Sequence, residues 1–323
     1  MAVFWAVVLI LAGAGGATLK VLGPPASPQR ASAALVPPAP PVVEGRIPGP
    51  DPGLLEPSRA FPPASLPRVA ADGRVARVAY ARRADPSDTR PRIGLLMAGL
   101  GLSDADSRAA IEQLPGAVTL AFSPYAANPD ALMEAARLKG HEVLASIPME
   151  SQGYPFNDAG VRSLLTGADA GANRLNLEWA LSRIQGYAGV TGASDGLRGE
   201  RFADLTSGFL PVLEEVGRRG LFYIDPRPGR PGPLPGGVPG RAVDLVVDDP
   251  PARAEIEGKL VALERLAREH GSALALAGPL RPVTLERIAV WARGLEERGL
   301  VLSPVSALAG PPPAAPAQTG ARH

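Results

Sequence analysis

Side chains able to do chemistry are few in this sequence, and most of them follow short apolar runs. Glu150 comes after Pro148-Met149, Asp225 after Leu221–Ile224, and Asp248-Asp249 after Val243–Val247. Tyr125 follows Ala117–Phe122 by way of Ser123-Pro124, and Arg201 lies in the stretch beyond Ala188–Thr191. Carboxylates and a guanidinium in such places make directional, charge-assisted hydrogen bonds to hydroxyl and amide groups. An aromatic face beside them covers a flat apolar surface. Glu150, Asp225, Arg201, Tyr125 and Asp248 are therefore the candidate cleft residues.

Other chemistries are excluded or weakened by composition and spacing. The chain has no cysteine, which rules out thiol nucleophiles, thiolate zinc sites and disulfides. It has 3 histidines, His141, His270 and His323, while catalytic zinc takes about three protein ligands, most often histidine. His141 precedes a strand, His270 closes a helix and His323 is in the C-terminal tail. An all-carboxylate site for a hard divalent cation from Glu150, Asp225 and Asp248 is the one metal arrangement left open. Gly192-Ala193-Ser194-Asp195-Gly196 has the spacing of a nucleophile elbow, but no helix begins directly after it and no late loop offers a histidine. Gly99-Leu100-Gly101 resembles a phosphate-cradling turn. Position 104 is Asp where a third glycine belongs, and Ser103 with Asp106 reads instead as a helix cap.

The elements that must position these residues follow from periodicity. Short apolar runs at Ile93–Met97, Ala117–Phe122, Glu142–Ile147, Ala188–Thr191, Leu221–Ile224, Val243–Val247, Ala273–Ala277 and Val301–Leu302 alternate with one-sided helical patterns. That alternation is the signature of parallel strands with helical crossovers. Asn128-Pro129 and Asp249-Pro250 read as helix starts, with Gly140 and Gly271 as stops. Ile256, Leu260, Leu263, Ala267 and His270 fall on one helical face, and a last long helix from near Thr284 buries Ile288, Trp291 and Leu295. About eight repeats favour closure into a β/α barrel over an open sheet. In such folds function sits at the C-terminal ends of the strands, where the candidate residues lie.

Composition sets the flanks. There are 37 Pro and 37 Gly in 323 residues, and the net charge is +1 without a clustered basic face, so no nucleic-acid partner is expected. Residues 1–19 carry no charged side chain, and their length suits a transmembrane anchor more than a signal peptide, which needs a basic leader. Cleavage within the Gly/Ala-rich end is the alternative. Residues 20–90 read as a Pro/Ala-rich disordered linker, within which Arg74–Tyr80 alternates enough for one edge strand. Residues 91–310 form the single folded domain expected, and 311–323 a disordered tail.

Four stretches resemble the divergent polysaccharide deacetylase family: PRIGLLMAGLGLS (Pro91–Ser103), LPGAVTLAFSPYA (Leu114–Ala126), GHEVLASIPMES (Gly140–Ser151) with YPFNDAG behind it, and the run to VLSPVSAL (Val301–Leu308). The resemblance covers Pro91 to Gly310. It implies a bacterial envelope protein with a β/α-barrel-like, deacetylase-type fold, related to metal-dependent enzymes that remove N-acetyl groups from glycans. It also implies an Asp-Asp pair after the first strand, where this chain has Ala98 and Gly99. It implies His-x-x-x-His after the third, or His-x-x-x-Glu in divergent members, where this chain has Ser146 and Glu150 and so keeps only the carboxylate. The family's NHMGxRF stretch corresponds to TGASDGLRGERF (Thr191–Phe202), which keeps Arg201 and Phe202 and lacks the histidine.

The expectation is an inner-membrane-anchored envelope protein with its domain in the periplasm. Its metal site is degenerate, and its role is to bind or scaffold an envelope glycan or envelope protein without a cofactor. The small residues at 98 and 99 are expected to leave room for a bound group. The alternative is a metal-dependent hydrolase that removes N-acetyl groups from envelope polysaccharide.

Overall fold

The computed structural model describes residues 45–310, Pro231 excepted. The expected anchor, the first part of the linker and the tail lie outside the described residues. Among the described residues no helix is long and apolar enough to cross a membrane.

The linker reading is corrected from residue 45 onward. This arm contains strands β1 (Leu55–Pro57) and β2 (Ser65–Pro67), which pair antiparallel, and a short helix α1 (Ala76–Ala79). Arg74–Tyr80 therefore supplies a helical turn in place of the expected edge strand. Its proline content is high, but Ile47, Leu54, Leu66, Ala76 and Tyr80 are buried. Polar bonds tie it down: Ile47 N donates to Arg137 O (3.1 Å), Ser58 Oγ to Glu178 (2.7 Å) and Arg219 to Pro67 O (2.7 Å). A few well-spaced apolar anchors docking on an existing surface suffice, because the arm needs no core of its own.

The apolar runs form the strands expected of them. β3 (Arg92–Leu100), β4 (Thr119–Phe122), β5 (Val143–Ser146), β6 (Gly189–Thr191), β7 (Phe222–Asp225), β8 (Gly240–Ala242), β9 (Leu245–Val246), β10 (Ser272–Ala277) and β11 (Val301–Ser303) make one nine-stranded sheet. Every pairing in it is parallel, in the order β8-β7-β6-β5-β4-β3-β10-β9, with β11 on β3. β8 and β9 are two halves of one segment. Its first half pairs with β7 and its second with β10, so the sheet curls back on itself as a barrel-like ring.

Helices α2 (Asp104–Gln113), α3 (Pro129–Leu138), α4 (Ala170–Ser182), α5 (Glu200–Asp204), α6 (Thr206–Arg218), α7 (Arg253–His270) and α8 (Pro282–Arg293) cover the ring. Ser103 Oγ accepts from Asp106 N, as the cap reading requires. α7 buries Ile256, Leu260, Leu263 and Ala267 but leaves His270 exposed at its last turn. It begins at Arg253 with Ala252 as its cap residue, so Asp249 is not the helix cap the sequence suggested.

Register decides which side chains face the interior. A Cβ on Gly94 would meet Leu274, Val305 and Leu308 side chains, so the 3-10 turn after β11 plugs the lower end. Glu142 is buried there. It accepts from Thr119 Oγ1 (3.2 Å), Ser306 N (3.1 Å) and Arg82 N (3.2 Å), joining three distant stretches of chain. His141, at the same end, places its ring nitrogens 2.8 and 3.1 Å from the carbonyls of Val118 and Ile111. This is the structural role expected of it, and burial pushes its pKa down.

Burial pushes the Glu142 carboxyl above its usual range. A raised folded pKa contributes stability that is complete below the unfolded value and is lost as pH rises through the folded one. In urea denaturation at rising pH, the stability of wild type relative to Glu142→Gln should fall. An identical slope in the variant would place the titration elsewhere.

Candidate functional site

The upper end of the ring is where the strand C-termini converge, and register sorts the side chains there. Ser146, Thr191 and Ile224 pair across β5, β6 and β7, so they form one row. Tyr223 and Asp225 are one residue out of phase with that row. Tyr223 packs edge-on against Phe209 of α6, with centroids 5.5 Å apart. The Tyr223 row therefore faces the helices and the Ser146 row faces the interior. Ser146 Oγ is buried there without a hydrogen-bond partner.

Glu150 and Arg201 are brought together. Arg201 Nε lies 3.0 Å from Glu150 Oε1, with the carboxylate buried and the guanidinium half exposed. Thr166 N and Oγ1 donate to Glu150 Oε2 at 2.5 and 2.7 Å. This carboxylate anchors the long loop between β5 and α4, and its pair with Arg201 presents a cation at the rim. Tyr125 belongs to the same neighbourhood. Its hydroxyl accepts from Arg162 N (2.9 Å) in that loop, and its ring packs on Trp179 at 4.9 Å. Burial pushes the phenol pKa up, so it stays neutral.

Asp225 and Asp248 do not join them. Asp225, facing the helices, takes the Arg227 guanidinium at 2.9 and 2.6 Å. Arg227 also reaches Asp204 (2.7 Å) and lies over the Phe209 ring (5.4 Å). Asp248 accepts from Gly278 N (3.1 Å) and Thr284 Oγ1 (3.1 Å), and burial pushes its pKa up. Both are structural carboxylates, Asp225 held by Arg227 two residues on and Asp248 by the stretch that follows β10.

The expected room above Ala98 and Gly99 is filled. β3 carries a bulge between Ala98 and Leu100, with Gly99 at φ +93°, a conformation L residues seldom adopt. The Gly278-Pro279 turn presses on this end: a Cβ on Gly278 would stand 2.7 Å from Ala98 O. The loop after β6 also crosses it. Gly192 and Gly199 lie against Met149, and Asp195 with Gly196 reaches Gly99 and Pro279. Arg198 pairs with Asp249 at 3.1 Å. Ser194 and Leu197 exchange backbone hydrogen bonds at its tip, and Asp195 is the one non-glycine residue with positive φ among the described residues. This loop, flagged in the sequence only as a serine-elbow look-alike, is a strap across the mouth.

The donor set does not fit a catalytic metal. Positions 98, 99 and 146 offer no ligand, and among the described residues no three His, Cys, Asp or Glu side chains cluster for one.

The sequence profile described as divergent polysaccharide deacetylase matches residues 95–309. The chain belongs to that family. A crystal structure of an uncharacterized protein from Agrobacterium tumefaciens C58 is similar at 34% identity and TM-score 0.70, covering 76% of this chain and 99% of that one. The catalytic domain of peptidoglycan N-acetylglucosamine deacetylase from Eubacterium rectale ATCC 33656 matches at 12% identity and TM-score 0.41, covering 70% of this chain and 93% of that one. No curated protein matches. In this polysaccharide deacetylase-like domain β3 ends at Ala98, Gly99 and Leu100, and β5 ends at Ser146 with Glu150 four residues on.

If Asp225 is structural, removing its partner leaves a buried unpaired charge. Arg227→Ala should destabilise the domain by about 3 kcal/mol in chemical denaturation. A loss below about 0.5 kcal/mol, the level of an ordinary surface change, would contradict the assignment.

Proposed function

We propose that this protein is a glycan-binding member of the family, holding N-acetylated envelope polysaccharide at the rim of the barrel without cleaving it. The observation that carries the reading is the contrast between the two parts of the mouth. Its centre holds Ala98, a glycine bulge and Ser146 beneath a strap, whereas at its rim Glu150 fixes Arg201. A hydrolytic metal must lower the pKa of a bound water, and this centre has no ligands to hold one. A positioned guanidinium, backed by a buried carboxylate, suits the amide and hydroxyl groups of an N-acetylated sugar.

The cellular setting we propose rests mainly on the family membership, together with the N-terminal segment. Its apolar residues 1–19 support an inner-membrane anchor, with the domain in the periplasm and the glycan as its partner. The arm meets the barrel near Gly45 and Ile47, against Gly140 and Arg137, at the end where β5 starts.

The test is calorimetric titration of a tetramer of N-acetylglucosamine into the purified protein. Wild type binds, Arg201→Gln weakens binding about tenfold, the worth of one charge-assisted hydrogen bond, and Asp225→Asn leaves it unchanged. Equal binding by wild type, Arg201→Gln and Glu150→Gln, with the fold intact, would take the function off this rim.

A further inference from the structure

The β5–α4 loop is held along most of its length, yet two large apolar side chains stand free of it. Phe156 is 96% exposed and Val161 91%. The turn carrying Phe156 is tightly closed. Ser151 Oγ donates to Asn157 O (2.7 Å), Asn157 N to Gly153 O (3.0 Å) and Tyr154 N to Ser151 O (3.2 Å). A Cβ on Gly153 would come within 2.3 Å of Asn157 Nδ2, so this close turn requires glycine. Further on, Gly160 sits at φ +116° against the Tyr125 ring, where a Cβ would clash at 2.5 Å. Gly160 N donates to Asp158 (2.9 Å) and Ser163 Oγ to Gly160 O (2.6 Å). Leu164 N and O close the loop on Pro148 and Glu150 at 2.9 and 2.8 Å.

Slack backbone is therefore no explanation for the exposure of Phe156. Burying a phenyl side chain is favourable, and this fold forgoes that gain on a hydrogen-bonded turn. The position itself is specific: Ser151 follows Glu150 directly and its hydroxyl holds Asn157, so the turn that carries Phe156 starts from the residue after the Arg201-paired carboxylate. A carboxylate-backed guanidinium next to a bare aromatic face is complementary to a pyranose ring, whose rim carries hydroxyl and acetamido groups and whose axial C–H face is apolar.

We infer that the Ser151–Asn157 turn presents Phe156 as a stacking platform for one pyranose ring of an N-acetylated glycan bound at the rim. The inference rests on the glycan-binding reading and adds a residue and a contact type to it. The platform gives affinity through ring area, while Arg201 selects the polar substituents.

The tetramer of N-acetylglucosamine is titrated into wild type, Phe156→Ala, Phe156→Leu and Phe156→Tyr, each checked for unchanged thermal unfolding. A platform role requires Phe156→Ala to weaken binding about tenfold. Phe156→Tyr should remain within about twofold, because the flat face is kept. Phe156→Leu should resemble the alanine variant, because it is apolar but has no face to stack. Unchanged affinity in Phe156→Ala, alongside weakened binding in Arg201→Gln, overturns the platform and leaves the rim reading standing. Full affinity in Phe156→Leu also overturns it, since plain apolarity would then suffice, as for an apolar peptide. No binding by wild type removes both readings together.

Discussion

A parallel sheet rolled into a ring must satisfy the hydrogen-bonding edges at its two ends, and one short segment does this. Gly240–Val246 pairs with β7 through its first half and with β10 through its second. The change of partner falls at Val243–Asp244, where Val243 N donates to Asp225 O and Asp244 N to Leu274 O. Asp244 strengthens the junction by accepting from Leu274 N (2.6 Å) and from Arg241. Closure fixes the phase of every strand. Once the phase is set, Ser146 and Thr191 point inward, and Asp225 points at α6 with Arg227 as its only sensible partner. An unpaired parallel edge would lose that constraint and expose ladder groups to other chains.

The same closure limits what the mouth can do. Its interior row at the top holds Ser146, Thr191 and Ile224, and the strap after β6 lies over the bulged end of β3. Charge survives at the rim, where Glu150 is buried and Arg201 projects. A buried carboxylate holding a half-exposed guanidinium is a device for positioning, since the pair restricts the Arg side chain before a ligand arrives. Among the described residues no three His, Cys, Asp or Glu side chains gather there to hold a metal ion. The glycines at 99, 192, 196 and 199 show that the centre has been rebuilt in backbone as well as in side chains. Returning an Asp to position 99 would not restore a site, because φ +93° there disfavours any L residue.

Strand positions were legible because parallel strands covered on both faces are continuous apolar runs. Ser103, Gly140 and Gly271 marked helix ends for the usual local reasons. Phase was not legible: a sequence shows that Asp225 ends a strand, but one residue separates facing the interior from facing a helix. Asp249-Pro250 looked like a helix start because the local pattern fits, but the chain runs on to Arg253 before turning. The arm from residue 45 was misread because composition averages over a stretch, whereas docking depends on single anchors such as Leu54 and Tyr80. Glu150 with Arg201 was legible through position and family resemblance together. The strap and the exposure of Phe156 depend on contacts between loops, which periodicity does not encode.

The central claim is that the rim binds an N-acetylated glycan and leaves it intact. One proton NMR time course tests both halves, with the N-acetylglucosamine tetramer, the purified protein and added zinc in one tube. The account requires broadened acetamido and ring-proton lines that persist, with no free acetate signal over many hours. A growing acetate peak would show a working deacetylase, and sharp, unperturbed ligand lines would show that the rim does not bind this glycan at all.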